Sequence, residues 1–248
     1  MVWYKVWRES SVRFELGLAV VATLCLAYVL LAGRLMPGLI HQRPPIRTYD
    51  QYVYWEIFSG PVLMLTQILF LLLGLGGLQR DRKQGTVGFT LALPVGRSRL
   101  VAWRAIMGLL QVVAIALVPI VVLSVASPLV GERFAPQHGL VFLPLWIVGG
   151  TVTYSLAFLF SVLFASELTA LGAAYGVFLI YQMTTHLPNM HPYLLSVGDL
   201  MIGKLGNSIN LQTLERTGTI PLSAMCEFTA VALCLFVAAG WVTSRQEL

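Results

Sequence analysis

The residues with the most to offer chemically lie between Gln79 and Arg104, in QRDRKQGTVGFTLALPVGRSRLVAWR. Arg80, Arg82, Lys83, Arg97, Arg99 and Arg104 stand there against a single acid, Asp81. Each cation would cost roughly 2.5–3.5 kcal/mol at the centre of a bilayer. The stretch therefore belongs in water or among headgroups, and its chemistry is electrostatic recognition rather than bond making. Gly85-Thr86 can start a short helix, to which Val87, Phe89, Leu91 and Leu93 give an apolar side. Pro94 removes the next helical hydrogen bond and pushes Leu93 out of helical geometry. Gly96 permits a turn, and Ser98 is placed to cap a following helix. The product is either a rigid knob rimmed by Arg97 and Arg99 or an ordinary solvated basic loop.

Other reactive residues are sparse. His186 and His191 flank Pro188 in HLPNMHP, but no nearby Cys or acid completes a metal set, so they read better as interfacial histidines than as a metal pair. Glu227 falls inside an apolar run, where an acid is costly and marks a candidate polar site unless it snorkels or pairs. Gln67, Gln111, Thr151, Thr153, Tyr154 and Ser155 could line a path with it, or could be hydrogen-bond glue between helices. No converging carboxylates or H-E-x-x-H appear, which argues against an enzyme embedded in the membrane. A phosphate-cradling loop needs G-x-x-x-x-G-K followed by Ser or Thr, and Gly203-Lys204 is followed by leucine. If ATP is used, another polypeptide must bind it. Cys25, Cys226 and Cys234 all sit in apolar runs and read as packing residues.

The elements that must position these residues follow from hydropathy. The chain is 57% hydrophobic and 11% charged, with a mean hydropathy of +0.79, whereas soluble domains carry about 25% charged residues. This is an all-α integral membrane protein. Its net charge of +5 clusters beside apolar segments and is no sign of nucleic-acid binding. About 20 apolar residues cross the hydrocarbon core. Six segments qualify as spans: 14–33, 57–78, 105–126, 140–165, 168–187 and 222–242. As one rod, residues 140–187 would run about 70 Å at roughly 1.5 Å per residue. Ser166-Glu167 is the polar break at which this run must turn back.

With the N-terminus inside, ten cations fall on the cytoplasmic side and six on the other, which favours cytoplasmic termini. Ahead of the first span, Trp3, Trp7 and Phe14 share a helical face flanked by Lys5, Arg8 and Glu9, the pattern of an amphipathic helix lying in the interface. The first span reads as retained, since no clear signal-cleavage site follows it. The loop 188–221 keeps apolar pieces such as Leu200-Met201-Ile202, which suit short helices dipping back toward the bundle. Gly172 and Gly176, and the cluster Gly74, Gly76 and Gly77, allow close helix approach. The whole of 1–248 reads as a single transmembrane domain, with 79–104 as its cytoplasmic loop.

Asp81, Gly85-Thr86, Leu91-Ala92-Leu93-Pro94-Val95-Gly96-Arg97 and Leu100-Val101 together resemble the signature of type-2 ATP-binding-cassette (ABC) exporter permeases. That family shows an acid four residues before Gly-Thr, then Leu-Leu-Ala-Leu-Pro-Val-Ser-Arg and an apolar pair with Gly-Lys. Asp81 stands here for the usual Glu, Gly96 for Ser, and Trp103-Arg104 for Gly-Lys. The resemblance implies that Asp81, Gly85, Thr86, Leu91, Pro94 and Arg97 dock on a cytoplasmic ABC ATPase subunit. ATP and Mg would then be held by that partner and no cofactor by this chain. It further implies a second permease copy, contact with membrane lipids, and residence in a bacterial or archaeal cell membrane as a multi-pass protein. The expected function is the permease half of an ATP-driven exporter. The alternative is a non-transporting anchor or sensor subunit using the same ATPase.

Overall fold

A computed structural model of the chain describes residues 2–39, 46, 48–75, 97–164, 166–187, 195–205 and 221–245. Every regular element among the described residues is helical. In chain order these are α1 (Val2–Leu39), α2 (Tyr49–Val53) running into a π-helical turn (Tyr54–Phe58), and α3 (Pro61–Gly74). Then come α4 (Arg97–Ala126) with a 3-10 turn (Ser127–Val130), α5 (Pro136–Leu163), α6 (Glu167–Thr185), α7 (Val197–Met201) and α8 (Leu222–Arg245).

Five segments among the described residues are long and apolar enough to cross a membrane: Ser10–Gly38, Tyr49–Gly74, Val101–Val130, Pro136–Leu163 and Leu222–Arg245. The expected sixth span, 168–187, forms as α6, a helix of 19 residues. It is not one of those five, because Glu167, Gln182, Thr184 and Thr185 lower its mean hydropathy. The chain does reverse between the end of α5 at Leu163 and the start of α6 at Glu167, and the two helices pack against each other.

Three expectations need correction. The N-terminal amphipathic stretch is not a separate helix. Residues 2–39 form one helix whose only proline, Pro37, comes near its end, so nothing interrupts the ladder after Trp7. At about 1.5 Å per residue, 38 residues make a rod of about 57 Å, longer than a hydrocarbon core of about 30 Å. The aromatic turns with Trp3 and Trp7 exposed are the overhang of that rod. The second apolar segment starts at Tyr49 rather than 57, because Thr48 and Gln51 form a reciprocal capping box that nucleates α2. The third helix starts at Arg97, slightly ahead of the start that a Ser98 cap implied and well ahead of the apolar run that opens at 105. Residues 97–104, read as loop, are thus the first two turns of α4.

The bundle is organised around α5, which touches α3, α4, α6, α7 and α8. α1 lies on α4 and α3. The α3–α5 contact is close because Gly74 carries no side chain: a Cβ there would stand 2.6 Å from the Tyr154 carbonyl oxygen and 2.7 Å from the Ala157 Cβ. On the opposite half of the bundle, Phe58 stacks on Phe142 with centroids 4.4 Å apart and meets Trp146 edge-on. The short helix α7 drives Leu200 and Met201 into this core, where both are fully buried. Met201 lies against Gly149, midway along α5, where a Cβ would come within 2.4 Å of its Cγ.

Candidate functional site

The basic loop joins the end of α3 to the start of α4. Asp81, Gly85, Thr86, Leu91 and Pro94 lie outside the described residues. Arg97 opens α4, with its backbone alone described, and Arg99 is exposed in the first turn. Ser98 falls inside that first turn instead of at the capping position expected for it. What the geometry does define is how the two roots of the loop are fastened to the bundle.

At the α3 root, Leu75 follows the last helical residue, so its carbonyl has no partner within α3. The Arg13 guanidinium reaches across from α1 and donates Nη1–H to that Leu75 oxygen. Its Nη2 donates to Glu167 Oε2 at 2.7 Å, in the first turn of α6. Both placements agree with helix electrostatics. A cation lies at the negative C-terminal end of α3, and an acid occupies the positive N-terminal end of α6. The planar fork of arginine, with several fixed donors, is what lets one side chain serve both. The side chains are 27% and 43% exposed, so water screens the pair and it adds only about 0–1 kcal/mol to stability.

At the α4 root the fastening is buried and aromatic. Tyr154 of α5 is 2% exposed and donates its hydroxyl to the Arg104 carbonyl at 3.1 Å. Its ring fits over Gly108, where a Cβ would stand 2.0 Å from the phenol oxygen. Arg104, expected in the solvated loop, is instead only 7% exposed. It lies about two helical turns into α4, at a height where that helix is packed within the bundle. One turn beyond Gly108, Gln111 donates Nε2–H to Ser10 of α1 at 2.7 Å.

The other polar candidates divide by partner. Thr151, Thr153 and Ser155 return their hydroxyls to carbonyls of α5 itself. Tyr154 and Gln111 bond between helices. Gln67 is buried against Met201, with Nε2 3.5 Å from Sδ. Glu227 lies on the exposed side of α8, so the structure does not bring Gln67 and Glu227 into a common site within one chain. His186 turns Nδ1 to the Gln182 carbonyl at 2.7 Å, and His191 lies outside the described residues. Among the described residues no cluster of three or more His, Cys, Asp or Glu residues is arranged to hold a metal.

Small residues behave differently from place to place. Gly74 is wedged against α5, whereas a Cβ at Gly172 or Gly176 of α6 would meet nothing within 4 Å. Gly76 and Gly77 lie outside the described residues. Cys25 is buried, but Cys226 and Cys234 are exposed on α8 and are not packed within this bundle. Sequence reasoning missed Arg13 and Glu167, which it counted as a topology charge and a polar break. The signal was present in hindsight: an acid in the first turn after Ser166, and a cation at the matching end of α1.

Compared with known proteins, residues 12–214 match the family model described as "ABC-2 family transporter protein". The matched range runs through the basic loop and both of its roots. No curated protein matches the chain.

Proposed function

This chain belongs to the ABC-2 transporter permease family, and from that premise we propose that it is the membrane half of an ATP-driven exporter. The family is one of membrane-spanning transport subunits that work with an ABC ATPase, and the five apolar helices suit a multi-pass membrane protein. The finer reading assigns energy input to a separate cytoplasmic ATPase that holds ATP and Mg. It makes α6 the sixth span, with both termini and the basic loop inside. Two permease copies pair around the path. Asp81, Gly85, Thr86, Leu91, Pro94 and Arg97 meet the ATPase.

The observation that carries this reading is the family match across the loop, joined to the Gly85-Thr86 and Leu93-Pro94-Val95 motif within it. Its energetic requirement is differential contact: an ATPase that bound the loop equally in both nucleotide states would shift nothing.

The test is isolation of the chain from its membrane in mild detergent. A complex of two permease and two ATPase copies is expected, with ATP-dependent cargo movement after reconstitution into vesicles. Bound ATPase without any transport would favour the anchor or sensor reading. A lone monomer would count against both. Orientation is tested with single cysteines: those at Gln42 and Asn207 should react with an impermeant thiol reagent on intact cells, and one at Gln84 should not.

A further inference from the structure

Arg13 joins three elements at the loop end of the bundle. It belongs to α1, donates to the Leu75 carbonyl at the end of α3, and pairs with Glu167 at the start of α6. The loop departs from residue 76, immediately past the carbonyl that Arg13 holds. Glu167 follows the turn between α5 and α6, the next reversal of the chain at that end. A displacement of the α3 root therefore meets an ionic strut leading directly to the α5–α6 turn.

We propose that Arg13 is a positioning residue for energy coupling, a strut that makes the α3 root of the loop and the α5–α6 turn move together. The inference rests on the loop being the ATPase contact, and adds the route by which its motion enters the bundle. Three features suit such a strut. It is charged and part-exposed, so it contributes little to stability and can be remade without unfolding the core. Its two arms end on different helices, so it transmits displacement and does not merely cap one helix. The neighbouring root is held by a buried tyrosine on α5, which supplies a fixed point against which the strut can act.

The experiment uses the permease–ATPase complex in detergent and reads amide hydrogen exchange by mass spectrometry, with and without ATP, Mg²⁺ and vanadate. In the parent, trapping nucleotide is expected to change exchange in residues 70–75 and in residues 164–174 together. In Arg13→Gln and in Glu167→Gln the response at 70–75 should persist and the response at 164–174 should be lost. Glu167→Gln leaves the Arg13 bond to Leu75 in place, so it isolates the second arm. The charge swap Arg13→Glu with Glu167→Arg restores the ion pair but not the donor to Leu75, so the response at 164–174 should stay lost, and its return would overturn the proposal. A purely structural role predicts faster exchange in the variants with or without nucleotide, and that result overturns the proposal. So does a response at 164–174 that survives in both single variants. If neither segment responds in the parent although ATPase is bound, the coupling reading itself fails, a result separable from failure of the strut.

Discussion

The two roots of the basic loop are fastened by opposite means. At the α4 root, a fully enclosed tyrosine lies over a glycine and bonds a carbonyl inside the bundle. At the α3 root, a part-exposed arginine spans a helix end and a carboxylate. A buried hydrogen bond surrounded by close packing resists displacement, because moving it opens voids and strands polar groups. An ion pair in water gives way for about 1 kcal/mol or less. The lesson is mechanical: the α4 root is held by a buried bond, whereas beyond Gly74, itself wedged against α5, the α3 root ends on a part-exposed arginine that is cheaply remade.

The comparison breaks most sharply if the packing on α5 is overfilled at either root. Gly74→Val should cost the most, because its Cβ would press on the backbone of Tyr154, which cannot rotate away. Overpacking costs typically about 1–3 kcal/mol, and a backbone clash falls at or above the top of that range. Thermal unfolding of the detergent-solubilised protein should show a large drop or little folded material. Gly108→Val should follow, since the Tyr154 ring would have to leave its seat. A melting curve for Gly108→Val unchanged from the parent would remove the basis for calling the α4 root rigid.

Tyr154→Phe sharpens the same contrast more gently. It deletes one hydrogen bond while keeping the ring, and should cost about 1 kcal/mol. Arg13→Gln should move the melting curve less than Tyr154→Phe does, because the strut is screened. If Arg13→Gln proved the more destabilising of the two, the assignment of rigid and working roots would be reversed.

Pro94→Ala and Arg97→Glu probe the loop between the roots. Neither falls in an apolar span, so expression and membrane insertion should stay near the parent level, while ATPase association or coupling falls. Copurification of the ATPase and the ratio of ATP hydrolysed to cargo moved would report this, with Arg34→Glu as the charge-reversal control. Full transport by both loop variants would leave the loop without the role given to it.

The smallest effect is expected at Gly172→Ala. Its new Cβ meets nothing in the chain, so the melting temperature of the isolated chain should hold or rise slightly, because alanine suits a helix interior better than glycine. A loss of the two-copy complex in that variant, seen by native mass measurement, would show that α6 packs against the second permease instead.

How much of this was legible in advance depends on the kind of property. Apolar runs long enough to cross a membrane, the reversal near Ser166-Glu167, and the cationic stretch that cannot enter the bilayer are sums over neighbouring residues. Hydropathy and charge add locally, so the sequence by itself determined an all-helical membrane protein with a basic loop between its second and third apolar segments. Which polar groups meet could not be read that way. Arg13 finds Leu75 and Glu167 at separations of 62 and 154 residues, and Arg104 left the solvated loop only because α4 starts early and holds it within the packed bundle. Gly74 and Gly172 look alike in sequence, yet one is locked against a neighbouring backbone and the other faces open space. Such outcomes depend on which helix faces are brought together and at what height, and that was decided only when the helices packed around α5.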